Sequence, residues 1–195
     1  MRVVVVVAHP DPESFNHAIA ATATASLTSA GHAVTVLDLY ADEFRAAMSH
    51  DEHQAYHGDR PLVDPMTEWH AGIVKRAEAL VFVYPTWWST VPAILKGWLE
   101  RVMVPGVGFV FDEHQRVRRG LTDVRRVVGI STYGSTRLYV KVLNDNGRRT
   151  LMRALRLNTA VITRSTWLAL YEVDTSTLAR RQAFLQRVDR KMRSL

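Results

Sequence analysis

Short unbroken apolar runs alternate along this chain with longer stretches whose apolar residues recur at helical spacing. The first, five valines and Ala8 behind Arg2, predicts a buried strand over 2–8, and 79–84 (Ala-Leu-Val-Phe-Val-Tyr) is the clearest run. The latter is rich in β-branched and aromatic residues and does not alternate, which is how a strand covered on both faces reads. Further strands are predicted over 32–39, 125–131 and 161–171. Between them lie helical patterns: one to about Ser29, which Gly31 can end; Pro65 to Arg76, with Ile73 facing the core; and 93–103, with Ile94, Leu95, Trp98, Leu99 and Val102 on one side. Another covers Arg148 to Leu155. A last helix is capped by Thr175 or Ser176 and lined by Leu178, Leu185, Val188 and Met192. Pro85 stops the central strand, Ser89 or Thr90 can cap the helix after it, and Pro92 suits its first turn. Residues 40–65 read as a polar surface segment and 105–112 as an irregular aromatic loop. The alternation predicts an α/β fold: one domain over 1–195, with a five-stranded parallel sheet in the order 2-1-3-4-5, helices on both faces and right-handed crossovers.

In such a sheet the carboxyl ends of strands one, three and four are neighbours, so the loops that follow them converge. Loop one, His9 to Asn16, holds two prolines and an aspartate and leads into a helix. Ser14 and Asn16 stand where free backbone N–H groups and the helix dipole attract an anion, and His9 adds a donor. Loop three, Pro85-Thr86-Trp87-Trp88-Ser89, carries adjacent tryptophans that are costly to leave wet and suit a flat aromatic ligand. Loop four, Ser131-Thr132-Tyr133-Gly134-Ser135, with Tyr139 beyond it, contains a glycine that lets backbone donors approach a ligand. Gly106 and Gly108 belong to no dinucleotide or Walker fingerprint.

Composition narrows this picture without redirecting it. The chain of 195 residues is long enough for a sizeable core, and with no cysteine it has no disulfide, thiolate metal site or thiol nucleophile. Its amino-terminal apolar run is too short for a secretory signal or a membrane span, so a cytoplasmic protein without membrane insertion is expected. The net charge is +6, with basic residues concentrated at 116–126, 148–156 and 180–193. No nucleic-acid motif accompanies them, so no nucleic-acid partner is expected; some can attract the phosphates of a dinucleotide. His50, His53 and His57 share a helical spacing, but no third ligand is placed as zinc enzymes need, and no metal is expected.

The stretch Pro85-x-x-Trp88, followed by Val91-Pro-Ala-Ile-Leu-Lys-Gly-Trp98 and Glu100-Arg-Val102, resembles the flavodoxin-like NAD(P)H:quinone oxidoreductases. That family includes DT-diaphorase, modulator of drug activity B and the potassium-efflux ancillary reductases. The resemblance implies a bound flavin (FAD or FMN) and NAD(P)H as co-substrate. It also implies a quinone-like small-molecule acceptor, reached in two steps over the same ring, and a homodimer. By resemblance, His9, Ser14, Phe15 and Asn16 contact the phosphate side of the flavin. Pro85, Thr86, Trp87 and Trp88 border its ring, Trp88 as the ring-contacting aromatic and Thr86 and Trp87 through main-chain groups. The family's Thr-Thr-Gly-Gly followed by Tyr is matched by Ser131, Thr132, Gly134 and Tyr139, with Tyr133 in place of a glycine. The family tyrosine, here Tyr139, helps stabilise the reduced flavin together with a histidine six residues on. That position is Asp145 in this chain, expected to point away from the ring because a carboxylate there is unfavourable. Phe109 and Phe111 can roof a partner's site or pack in the core. Two rival readings are a flavodoxin-type electron carrier, a class that is usually acidic, and a regulatory subunit of a potassium-efflux system.

Overall fold

Each apolar run becomes a strand whose neighbours explain its composition. In the computed structural model, which describes residues 1–195, the elements are β1 (Arg2–Val7), α1 (Phe15–Ser29), β2 (Ala33–Asp38), α2 (His50–Ala55), α3 (Pro65–Lys75), β3 (Ala79–Pro85), α4 (Ala93–Val102), β4 (Phe109–Phe111), β5 (Val117–Arg119), β6 (Arg126–Thr132), α5 (Arg137–Val142), α6 (Asn146–Arg149), which continues as a π-helix over Thr150–Leu155, β7 (Arg164–Leu170) and α7 (Leu178–Arg193). Five parallel strands form one sheet in the order β2-β1-β3-β6-β7, the predicted pattern. Every residue of the central β3 is buried, whereas the edge strand β2 keeps several exposed positions.

The sheet separates two cores. On one face Val4, Val6, Leu80, Phe82 and Tyr84 pack with Leu95, Trp98 and Val102 of α4 and with Ala71 and Val74 of α3. On the other, Val3, Val5, Val81, Val83 and Ile130 meet Ile19 and Leu27 of α1 and Phe184, Val188 and Met192 of α7. Alternation along β1 and β3 thus sends successive residues into different cores. Gly31, at φ +81°, ends α1 in the left-handed conformation that glycine permits. No helix is long and apolar enough to cross a membrane.

Several local expectations are corrected. Helix α4 has Pro92 at its N-cap position and no side-chain cap, because Ser89 and Thr90 belong to a tight turn instead. Thr177, not Thr175 or Ser176, caps α7 by accepting from the Arg180 N–H, while the other two hydroxyls donate to the Glu172 and Val173 carbonyls. The aromatic loop after α4 contains half of a β4–β5 hairpin, on which Phe109 and Phe111 meet edge-on. The polar segment 40–65 is partly core. Ser49 and Glu52 form a capping box at α2, and the buried Glu52 carboxylate accepts from the buried Arg101 guanidinium at 2.7 Å. His50, His53 and His57 are exposed, and His57 lies beyond the end of α2.

Candidate functional site

The first strand-end loop enters α1 through Ser14, whose hydroxyl accepts from the His17 N–H at 3.3 Å. His17 is held in turn by Asp38 at the end of β2, 2.9 Å away. The His9 ring accepts the Asp11 N–H at 3.1 Å and tilts against Trp87, centroids 5.9 Å apart. Asn16 is buried and donates to the Thr132 hydroxyl at 3.1 Å, tying loop one to loop four. Its side-chain oxygen has no partner in the protein, a costly state for a buried polar atom unless a ligand supplies one. His9, Ser14, Phe15, Asn16, Pro85, Thr86, Trp87, Thr132 and Gly134 all line one cleft of about 370 Å³.

Asp174 and Arg181, which sequence reasoning missed, line the same cleft. Arg181 donates to the Ser176 hydroxyl at 2.9 Å and the Val173 carbonyl at 3.0 Å, and its guanidinium lies 5.7 Å over the Phe15 ring. The only signal pointing to it was positional: the loop after β7 opens on the same sheet edge. A Cβ at residue 134 would stand 2.8 Å from the Asp174 carboxylate, so Gly134 keeps this wall open.

Loop three is shaped by an unusual turn. Trp87 and Thr90 exchange N–H···O bonds of 3.1 Å in both directions, with Trp88 and Ser89 between them at φ 48° and 62°. Two positive φ values make a type I′ turn, normally the province of Asn and Gly. The turn holds Trp88 97% exposed. It also commits the Trp87 N–H, as the Thr132 carbonyl commits the Thr86 N–H at 2.8 Å. Main-chain contact with a ring's polar edge therefore cannot come from these two N–H groups as they stand. Trp88, Ser89, Thr86, Tyr133, Gly134, Tyr139 and Asp145 surround a second cleft of about 260 Å³, which shares Thr86 and Gly134 with the first. Ser131 lines neither; it is fully buried behind the wall, its hydroxyl 2.8 Å from that of Thr86. Phe109 and Phe111 line neither as well.

The expectation for Asp145 is overturned. Tyr133, standing where the family has a glycine, donates its hydroxyl to Asp145 Oδ1 at 2.9 Å and so holds the carboxyl in the cleft wall. Tyr133 is stacked on Tyr171, centroids 4.8 Å apart, and the backbone at Asn144 and Asp145 is left-handed. Burial raises the Asp145 pKa against the opposing pull of Tyr133, Arg148 and Arg149. Burial likewise raises Tyr133 and Tyr84, so both phenols stay protonated. Tyr139 lies on α5 rather than in a loop; its ring lines the cleft, 55% exposed, and its hydroxyl has no partner in the protein.

The two clefts form one groove. One end offers a helix amino terminus, His9 and Arg181 as donors, with the Asn16 oxygen and the Asp174 carboxylate as acceptors beside them; the other offers an exposed indole and phenol faces. Donors for an anion at one end and aromatic cover at the other fit the two parts of a flavin nucleotide.

Comparison with known proteins agrees. The family model described as flavodoxin-like fold matches residues 1–192. The ribosyldihydronicotinamide dehydrogenase [quinone] of Pongo abelii is 34% identical over 158 residues, 72% of this chain and 67% of that protein. NAD(P)H dehydrogenase [quinone] 1 of Cavia porcellus is 31% identical over 155 residues, 71% of this chain, which spans 55% of that relative's length. Among solved structures, the NAD(P)H:quinone oxidoreductase from Methanothermobacter marburgensis superposes with a TM-score of 0.79 at 27% identity, covering 100% of this chain and 96% of its own.

Proposed function

The chain belongs to the flavodoxin-like family, and from that premise we propose that it is a flavin-dependent NAD(P)H oxidoreductase acting on a quinone or similar acceptor. The observation that carries this reading is the continuous groove built by the loops after β1, β3 and β6, receptive to an anion at one end and aromatic at the other. The relatives named as NAD(P)H and ribosyldihydronicotinamide dehydrogenases [quinone] support the same donor and acceptor classes.

The flavin, when bound, supplies the redox chemistry, taking hydride from the nicotinamide and delivering it to the acceptor. The chain's residues bind and orient. Ser14, His9 and Arg181 hold the phosphate side, with Phe15 under the Arg181 guanidinium, while the Asn16 oxygen accepts from a hydroxyl of the ligand. Pro85, Thr86 and Trp87 carry the wall between the two ends, and Ser131 and Thr132 fix it from behind through Thr86 and Asn16. Trp88 covers the ring. The unpartnered Tyr139 hydroxyl is the donor available for negative charge that grows during reduction. Tyr133 keeps the neighbouring carboxyl of Asp145 hydrogen-bonded, which limits its repulsion of that charge. Donor and acceptor use the one open ring cleft in turn, which calls for two steps.

A homodimer belongs to the same proposal. Trp88, Tyr139, Leu138 (72% exposed) and Val142 (75% exposed) put apolar surface at or beside the mouth of the ring cleft. A second copy covering it would exclude water from the reacting centre.

The test is an absorption spectrum of the purified protein, followed by steady-state oxidation of NADH and NADPH with a soluble quinone and no partner reductase. Bound flavin with sustained turnover supports the proposal. A protein that neither retains nor takes up flavin, or one whose flavin is reduced only by a separate reductase, overturns it.

A further inference from the structure

Beside the ring cleft, and sharing Val140 and Asp145 with it, lies a third cleft of about 610 Å³ formed by α5, α6 and the π-helical turn after it. Its walls carry six cations, Arg137, Lys141, Arg148, Arg149, Arg153 and Arg156, against the single carboxylate of Asp145. None of the six takes part in a salt bridge, although Arg2, Arg45, Arg101, Arg118, Arg180 and Arg193 elsewhere all do. The cluster is therefore not a surface ion-pair network. It is a concentration of uncompensated positive charge whose mutual repulsion is relieved when an anion enters. Arg148 is steadied over the Trp167 ring at 5.9 Å, and Tyr171 adds an aromatic wall. The volume lies in the range of small-ligand sites rather than of an extended groove.

We infer that this cleft receives the phosphates of the nicotinamide dinucleotide, with Arg149 and Arg153 gripping the 2′-phosphate that distinguishes NADPH from NADH. The inference rests on the proposed NAD(P)H activity and deepens it by naming the co-substrate. A nicotinamide over the flavin ring occupies the ring cleft, and the rest of its molecule must leave through a neighbouring opening. The cationic cleft adjoins the ring cleft at Val140 and Asp145, which line both. Arg148, nearer that passage, meets the pyrophosphate; the next turn meets the adenosine end. Guanidinium groups suit this role because their paired N–H donors match phosphate oxygens.

The test compares wild type with Arg149→Glu/Arg153→Glu and the milder Arg149→Gln/Arg153→Gln, each checked by circular dichroism and melting. KM values are measured for NADPH and NADH, and adenosine 2′,5′-bisphosphate and 5′-AMP are titrated into the holoprotein by calorimetry. The wild type should show a KM for NADPH at least about 10-fold below that for NADH and bind the bisphosphate more tightly by a similar factor, the size of one good charge-assisted contact. The folded variants should lose most of both differences through the NADPH and bisphosphate values, and the wild-type preference should shrink with added salt. Equal KM values in the wild type overturn the inference, as does a variant that raises both KM values alike. Tight capture of an oligonucleotide that displaces the bisphosphate also overturns it, since the cleft would then serve a polymer. Should neither dinucleotide be oxidised while the bisphosphate still binds and the variants abolish that binding, the oxidoreductase proposal fails and the phosphate site stands.

Discussion

Trp88→Ala separates the stability of this protein from its proposed cofactor binding more cleanly than any other substitution. The indole is 97% exposed, so its loss opens no cavity in the ligand-free chain, and unfolding stability should change by no more than about 0.5 kcal/mol. Stacked on a flavin, the same indole would exchange water for an apolar face, worth about 1–3 kcal/mol. That range corresponds to a rise in flavin Kd of roughly 5- to 150-fold. The assay is titration of FMN and FAD into apoprotein, followed by flavin fluorescence, beside thermal melts of both proteins. Trp88→Gly serves as the backbone control. It relieves the left-handed residue of the type I′ turn, so the apoprotein should melt slightly higher, while affinity falls as in the alanine variant. A flavin Kd within 2-fold of wild type would refute the reasoning, as would a fall of many degrees in the apoprotein melt. Either result would place the tryptophan's work outside the groove.

Tyr139→Phe keeps the ring and removes a hydroxyl with no partner in the protein, so stability should hold; flavin should remain bound while its reduction in stopped flow slows about 10-fold or more. Glu52→Gln leaves the Arg101 guanidinium with only the Asp64 carboxylate, 3.2 Å away, as its charge partner and should cost about 2–3 kcal/mol in urea unfolding at pH 7. Burial by itself would raise the Glu52 pKa, but the Ser49 N–H and Arg101 hold it below the ordinary 4.5; the wild-type advantage is therefore full above that pH and should shrink as the pH falls below it. Burial lowers His70 to about 4, so NMR of its ring should still show the neutral form at pH 5, and stability should decline as the pH falls from 6.5 towards 4, where the unfolded chain takes up the proton first. Gly97→Ala would set a Cβ 2.0 Å from the Ala46 carbonyl oxygen, forcing α4 away from its neighbour, and should destabilise by about 2–3 kcal/mol in the same unfolding assay.

The parts of this architecture readable in the sequence are those fixed by local pattern. Continuous apolar runs gave the strands, their alternation with helical patterns gave a doubly wound sheet with right-handed crossovers, and 2-1-3-4-5 is one of the common orders of such a sheet. What stayed hidden was pairing across distance. Nothing near Glu52 announces Arg101, 49 residues away, so a segment of polar composition concealed a buried ion pair. Three adjacent hydroxyl residues, Thr175, Ser176 and Thr177, can each cap a helix, and composition does not choose among them. Ser131 occupies a motif position yet faces the interior, because alternation along β6 gives the groove to Thr132. Arg181 carries no motif and joins the groove only because β7 ends beside β6. Asp145 was misplaced because its partner, the Tyr133 hydroxyl, is itself the departure from the family pattern.

The groove draws on His9 near one end of the chain and Arg181 near the other, with the β3 and β6 loops between them. During synthesis, β1, β2 and β3 can pair, and one of the two cores can begin to close, while α7 is still unmade. The opposite core can begin on α1 but not finish, since Phe184, Val188 and Met192 belong to it. A nucleotide arriving early would find the Ser14 end of α1 but no Arg181, and no Tyr139 until α5 has emerged. Ligand binding is therefore a reward for finished folding rather than a template for it, and it draws the whole order of assembly towards completion. A nascent chain stalled before α7 would leave uncovered the part of the second core that Phe184, Val188 and Met192 fill, the kind of apolar surface that chaperones and proteases read as incomplete.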